Sequence, residues 1–173
     1  AVDHIGCEVF AYEPVLRKVI CETRTFVDDR AFAYCNDLEE VIFEEGGAID
    51  DEAFIGCSNL RIIDISDIEG RLGVKAFYDC RSITTITTSP SLDVIYKRAF
   101  ENCSSLTSVN LQYGLEVIGD RAFANTAIET INIPSTVNFI GNWAFYGCSA
   151  LTSINISSSV NSIGNGAFDR CPA

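Results

Sequence analysis

Any chemistry in this sequence would have to come from cysteine and aspartate. Six of the 8 cysteines, Cys35, Cys57, Cys80, Cys103, Cys148 and Cys171, stand three residues after a phenylalanine. A thiol beside a bulky aromatic can be a nucleophile, a metal ligand, half of a disulfide or a core filler. Nucleophilic catalysis needs a base within reach of the sulfur. No base recurs with these cysteines, and the single histidine is His4. No C-x-x-C, H-E-x-x-H or G-x-S-x-G occurs, so zinc chemistry and acyl transfer find no footing. The thiols read as packing material: no catalytic residue, metal ligand or cofactor is expected.

Elements that position these residues follow from an internal repeat. Phe10, Phe32, Phe54, Phe77, Phe100, Phe123, Phe145 and Phe168 are spaced by 22 or 23 residues. Alanine precedes each except Phe10, which follows Val9. Five residues earlier stands an aliphatic: Ile5, Val27, Ile49, Leu72, Ile95, Ile118, Ile140 or Ile163. Glycine often follows it, as at Gly73, Gly119, Gly141 and Gly164. After the anchor comes L-x-x-I-x-I, as in "LRIIDI" from Leu60 and "LTSINI" from Leu151.

Alternating apolar residues such as Ile154 and Ile156 indicate a short half-buried strand, too short to bury its own inner face. Each unit therefore needs neighbours above and below, which predicts coils stacked at about 4.8 Å into a parallel sheet. A recurring glycine fits a turn that needs positive φ or close backbone approach. Within such a stack, thiols of one column point the same way. Their Cβ atoms stay about 5 Å apart, whereas a bridge needs about 3.8 Å, so disulfides along the column are disfavoured. Cys21 falls in an inward strand column and Cys7 in an outward one.

Units such as "IPSTVNFIGNWAFYGCSALTSINI" (residues 133–156) resemble BspA-type leucine-rich repeats, whose distinctive element is A-F-x-x-C. The resemblance covers essentially the whole chain. It implies a right-handed, mostly β leucine-rich repeat solenoid: about eight coils, a parallel sheet on one face and short helical or 3-10 turns. Residues 1–173 would form one such domain. It also implies a surface or secreted protein that binds other proteins, often in adhesion. Asp28 and Asp50 stand where the pattern has glycine.

With the inward columns assigned, the outward strand positions define the candidate binding face. In the early turns these are Lys18, Ile20 and Glu22, then Glu40, Ile42 and Glu44, then Ile62, Asp64 and Ser66. Later turns offer Thr85, Thr87 and Ser89; Ser108, Asn110 and Gln112; Thr130, Asn132 and Pro134; Ser153, Asn155 and Ser157. Exposed β-branched aliphatics within a charged rim suit a protein partner. Two residues before the anchors runs a second column, Glu8, Arg30, Glu52, Lys75, Arg98, Arg121 and Trp143. Its alternating signs predict ion pairs between the first four coils, and Trp143 is placed to pack on Arg121. Asp28, Asp29, Asp50 and Asp51 would cluster between two turns, where calcium is one way to relieve them.

The net charge is −12, of which −10 lies in residues 1–86. Nucleic acid is excluded as a ligand by that balance, and a basic or matrix protein is favoured. No run is long and apolar enough to span a membrane, so insertion is not expected. A non-catalytic recognition or adhesion module, extracellular or on the cell surface, fits best. The alternatives are a carbohydrate-active enzyme resembling a parallel β-helix, or a carbohydrate- or ice-binding solenoid. Uniform coils without irregular insertions argue against the enzyme. The T-x-T pair Thr85 and Thr87 is not repeated up the strand column, which argues against ice. No distinctive cap is evident at either end, so a segment of a longer array, or end-to-end self-association, is expected.

Overall fold

The computed structural model describes residues 2–172. The first strands are β1 (His4–Ile5), β2 (Lys18–Cys21), β3 (Thr25–Val27), β4 (Glu40–Phe43) and β5 (Gly47–Ile49). Then come β6 (Ile62–Asp64), β7 (Ile68–Leu72), β8 (Thr85–Thr87), β9 (Leu92–Ile95) and β10 (Ser108–Asn110). The last are β11 (Val117–Ile118), β12 (Thr130–Asn132), β13 (Phe139–Ile140), β14 (Ser153–Asn155) and β15 (Ser162–Ile163). All pairings are parallel and each joins one coil to the next, as in Val19 with Val41 and Val41 with Ile63. The chain is a parallel β-solenoid.

Both long faces are sheets, where the repeat pointed to one. The odd-numbered strands form a continuous 8-stranded ladder carrying the aliphatic five residues before each anchor. The even-numbered strands bear the L-x-x-I-x-I motif and fall into a 3-stranded panel, β2-β4-β6, and a 4-stranded panel, β8-β10-β12-β14. One isolated bridge, Ile65 to Thr88, joins the panels. Asp64 contributes to the break: its Oδ1 accepts from the Ser66 amide at 3.0 Å and from Ser66 Oγ at 2.7 Å, curling the chain out of the strand.

The connections expected to be short helices are stacked turns, and no helix is present among the described residues. Residues two before and two after each anchor lie in the left-handed region. Glu8, Arg30, Glu52, Lys75, Arg98, Arg121 and Trp143 have φ between 53° and 61°. Only glycine takes such a conformation without a cost of about 1–2 kcal/mol. Axial hydrogen bonds offset it. Alternating right- and left-handed residues turn every second N–H towards the next coil: Arg98 N to Asp120 O (2.8 Å), Phe100 N to Ala122 O (2.8 Å) and Asn102 N to Ala124 O (2.9 Å). The intervening amides close turns within their own coil, as Glu101 N does on Arg98 O at 3.2 Å.

The glycine column has the other explanation, close approach. A Cβ at Gly141, whose φ is not positive, would stand 2.5 Å from Asp120 N. Between the two faces runs one core. Phe32, Phe54, Phe77, Phe100, Phe123 and Phe145 are all at most 1% exposed. From Phe10 to Phe168 the rings stack at 5.1–5.4 Å between centroids with interplanar angles of 3–9°. No helix among the described residues is long and apolar enough to cross a membrane.

Candidate partner-binding face

Period-2 alternation along the even-numbered strands sends one residue in and the next out. Lys18, Ile20, Glu22, Glu44, Ile62, Asp64, Thr85, Thr87, Asn110, Asn132 and Asn155 are exposed, and Glu40 and Ile42 are half-buried. The face that they share is divided where β6 meets β8, and its chemistry changes at the same place. In the first panel the register stacks Lys18 on Glu40 on Ile62, and Ile20 on Ile42 on Asp64. Lys18 Nζ pairs with Glu40 at 2.7 Å. Glu22 and Glu44 meet no cation among the described residues and leave the panel acidic. Ile20 is 45% exposed and Ile62 56%. In the second panel Thr85, Ser108, Thr130 and Ser153 share one row, and Asn132 stacks on Asn155 in another. Ser89 and Pro134, expected to face outward, are buried because they lie past the strand ends, where the chain turns in.

Five of the six column thiols are core, and Cys171, in the last coil, is half-buried against it. Each donates to the carbonyl of the phenylalanine in the preceding coil, as in Cys57 to Phe32 (3.1 Å), Cys80 to Phe54 (3.1 Å) and Cys103 to Phe77 (3.2 Å). All cysteines are free, with Cys21 buried and Cys7 exposed. Desolvation raises the pKa of Cys57, Cys80 and Cys103 and pushes Cys148 up to about 11, so the thiols stay protonated and unreactive.

The family model of the BspA type Leucine rich repeat region (6 copies) matches residues 3–110, 25–151 and 70–173. The chain belongs to the BspA-type leucine-rich repeat family. Among solved structures, this BspA-type chain is similar to a leucine rich cell surface protein from Faecalibacterium prausnitzii. That likeness has 31% identity, covers 88% of this chain and 42% of that one, and gives a TM-score of 0.74. It also resembles a leucine-rich repeat protein from Bacteroides ovatus (20% identity, 98% and 62% covered, TM-score 0.62). The pneumococcal vaccine antigen PcpA is a third (17%, 98% and 54%, TM-score 0.59). The last two likenesses concern the fold alone. The chain spans less than two thirds of each of these structures. None of the curated proteins compared with it matches.

Around the BspA-type turns the charge column pairs as the alternation of signs predicts. Arg30 meets Glu8 at 3.0 Å and Glu52 at 3.7 Å, and Lys75 meets Glu52 at 2.8 Å. Arg121 lies over the Trp143 ring at 5.0 Å. The sequence did not reveal Glu101, which is 7% exposed beside Arg98 (3.4 Å) and Arg121 (3.8 Å) and separates two otherwise consecutive cations. Burial pushes its carboxyl up, and Arg98, Arg121 and Lys75 oppose that shift.

Each of the four aspartates is engaged by a group of the chain itself. Asp28 takes His4 Nε2 at 2.8 Å, and Asp50 faces Arg71 at 3.8 Å. Asp29 and Asp51 accept the next coil's amides, from Asp51 at 3.1 Å and Val74 at 2.7 Å. Among the described residues no group of three or more His, Cys, Asp or Glu side chains could hold a metal ion.

Proposed function

We propose that this chain is a non-catalytic recognition module of the cell surface, taking a protein partner on the panel β2-β4-β6. The observation that carries the reading is the presence of Ile20 and Ile62, exposed on a hydrogen-bonded sheet among Glu22, Glu40, Glu44 and Asp64. Aliphatic side chains held on a rigid backbone lose little entropy on docking, and the acidic rim steers a basic partner towards them. The inward columns are apolar, and the exposed thiol Cys7, 3.8 Å from the Asp28 carboxylate that engages His4, stands on open surface and not in a cleft, which supports a role without catalysis. Kinship with a cell surface protein supports the location.

The test measures binding of the intact protein to purified extracellular-matrix proteins. Ile62→Lys is expected to weaken binding by about tenfold or more, because it places a cation where a basic partner docks. Thr130→Lys, on the other panel, is expected to change it little. Binding should also weaken as salt rises. Equal loss in both variants, or unchanged binding in Ile62→Lys, would place the partner elsewhere.

A further inference from the structure

Beside the second panel, past the ends of β10, β12 and β14, lies a groove of about 330 Å³. That volume is within the range of about 300–1,000 Å³ typical of small-ligand sites. Its floor is apolar, made by Leu111, Ile133 and Pro134, all buried. Tyr113 stands over the floor, 70% exposed. Asn132 and Asn155, adjacent in register, and Ser135 and Ser157 complete the lining.

Tyr113 departs from the repeat. Ten residues before the anchor, other coils hold Glu22, Glu44, Asp67, Pro90, Ser135 and Ser158. No packing within the coil accounts for an aromatic there. The loop is nevertheless held in place. Gly114 follows at φ +125°, where a Cβ would stand 2.0 Å from Pro90 O. Its amide donates to Thr136 Oγ1 at 3.3 Å, and that hydroxyl donates to Leu115 O at 2.7 Å. The ring is thus presented by a backbone tied to both neighbouring coils.

Every side chain lining the groove is uncharged, on a protein of net charge −12. A cationic ligand has the acidic panel as a better site, and an anionic one meets no cation here. The complement of an exposed aromatic face beside amides and hydroxyls is a ligand with flat C–H surfaces and many neutral hydroxyls. Each amide supplies both donors and an acceptor for such hydroxyls. We propose that this groove binds a neutral oligosaccharide, with Tyr113 stacked on a pyranose face and Asn132 and Asn155 bonding its hydroxyls. The site is separate from the acidic panel and does not depend on the partner proposed for it.

The experiment is calorimetric titration of the intact protein with neutral hexasaccharides of glucose, mannose, galactose and N-acetylglucosamine, and a hexagalacturonate as the acidic control. At least one neutral sugar is expected to bind. Tyr113→Ala should weaken it about tenfold, equal to about 1.4 kcal/mol, whereas Tyr113→Phe should keep it. Asn132→Ala should weaken it severalfold, and Ile62→Lys should leave it unchanged. Tyr113 is exposed, so its variants are expected to keep the fold, checked by circular dichroism. The proposal is overturned if no neutral sugar binds at millimolar concentration or if hexagalacturonate is preferred. It is equally overturned if Tyr113→Ala binds sugar as tightly as the wild type, or abolishes binding of a matrix protein while no sugar binds.

Discussion

Phe100→Ala is expected to lower folding stability by about 3–5 kcal/mol, read as a shift in the urea midpoint. Phe100 is fully buried, with Phe77 at 5.4 Å on one side and Phe123 at 5.3 Å on the other. Truncation therefore leaves a cavity and also removes two stacked pairs, each worth about 0.5–1.5 kcal/mol beyond its buried area. Backbone bonds of the same residue clamp the coil, with Phe100 N on Ala122 O and Cys103 N on Phe100 O, so the void has little room to collapse. Phe10→Ala makes the contrast. Its ring is 39% exposed and is stacked on Phe32 alone, so the loss should be about 1 kcal/mol. Equal losses at the two positions would contradict a continuous aromatic column.

Cys103→Asp is expected to destabilise the central coils by about 3 kcal/mol or more, because a carboxyl there is either charged in an apolar site or forced to protonate. Cys103→Thr should cost about 1 kcal/mol or less. The protein contains a threonine in this column already: Thr126 Oγ1 donates to Phe123 O of its own coil at 2.9 Å and lies 3.2 Å from Cys148 Sγ. A hydroxyl is therefore accommodated in the column, satisfied by its own coil's carbonyl and not by the one that a thiol reaches. Thermal unfolding of the two variants beside wild type checks the ordering. If Asp were tolerated as well as Thr, the column would be wetter than its burial indicates.

The phenylalanine, alanine and thiol columns were legible because a fixed spacing of 22 or 23 residues superposes identical side chains, and each must then fit its own copy. The outward rows were legible from alternation alone. The split between β6 and β8 was not, since it depends on local bonding at Asp64 and on Thr88, buried in a column otherwise filled by residues such as Ile65 and Leu111. Left-handed turn residues escaped notice because Glu, Lys and Arg fill them where glycine is the usual signal, and axial amide bonds available only after stacking make up the difference. Glu101 was hidden for a similar reason. Its cations come from its own coil and the next, a relation that spacing does not display. Asp29 and Asp51 looked like a cation site because the sequence shows carboxylates and not the amides they accept.

All of this rests on equivalent residues of successive coils lying directly over one another. The most direct measurement is thiol alkylation of the folded, unreduced protein, with labelled positions located by peptide mass spectrometry. The prediction is that Cys7 labels promptly, that Cys35, Cys57, Cys80, Cys103 and Cys148 label only once denaturant unfolds the chain, and that all of them are then found free. Prompt labelling of Cys57, Cys80 and Cys103, or masses showing these sulfurs bonded in pairs, would contradict the stacked coil.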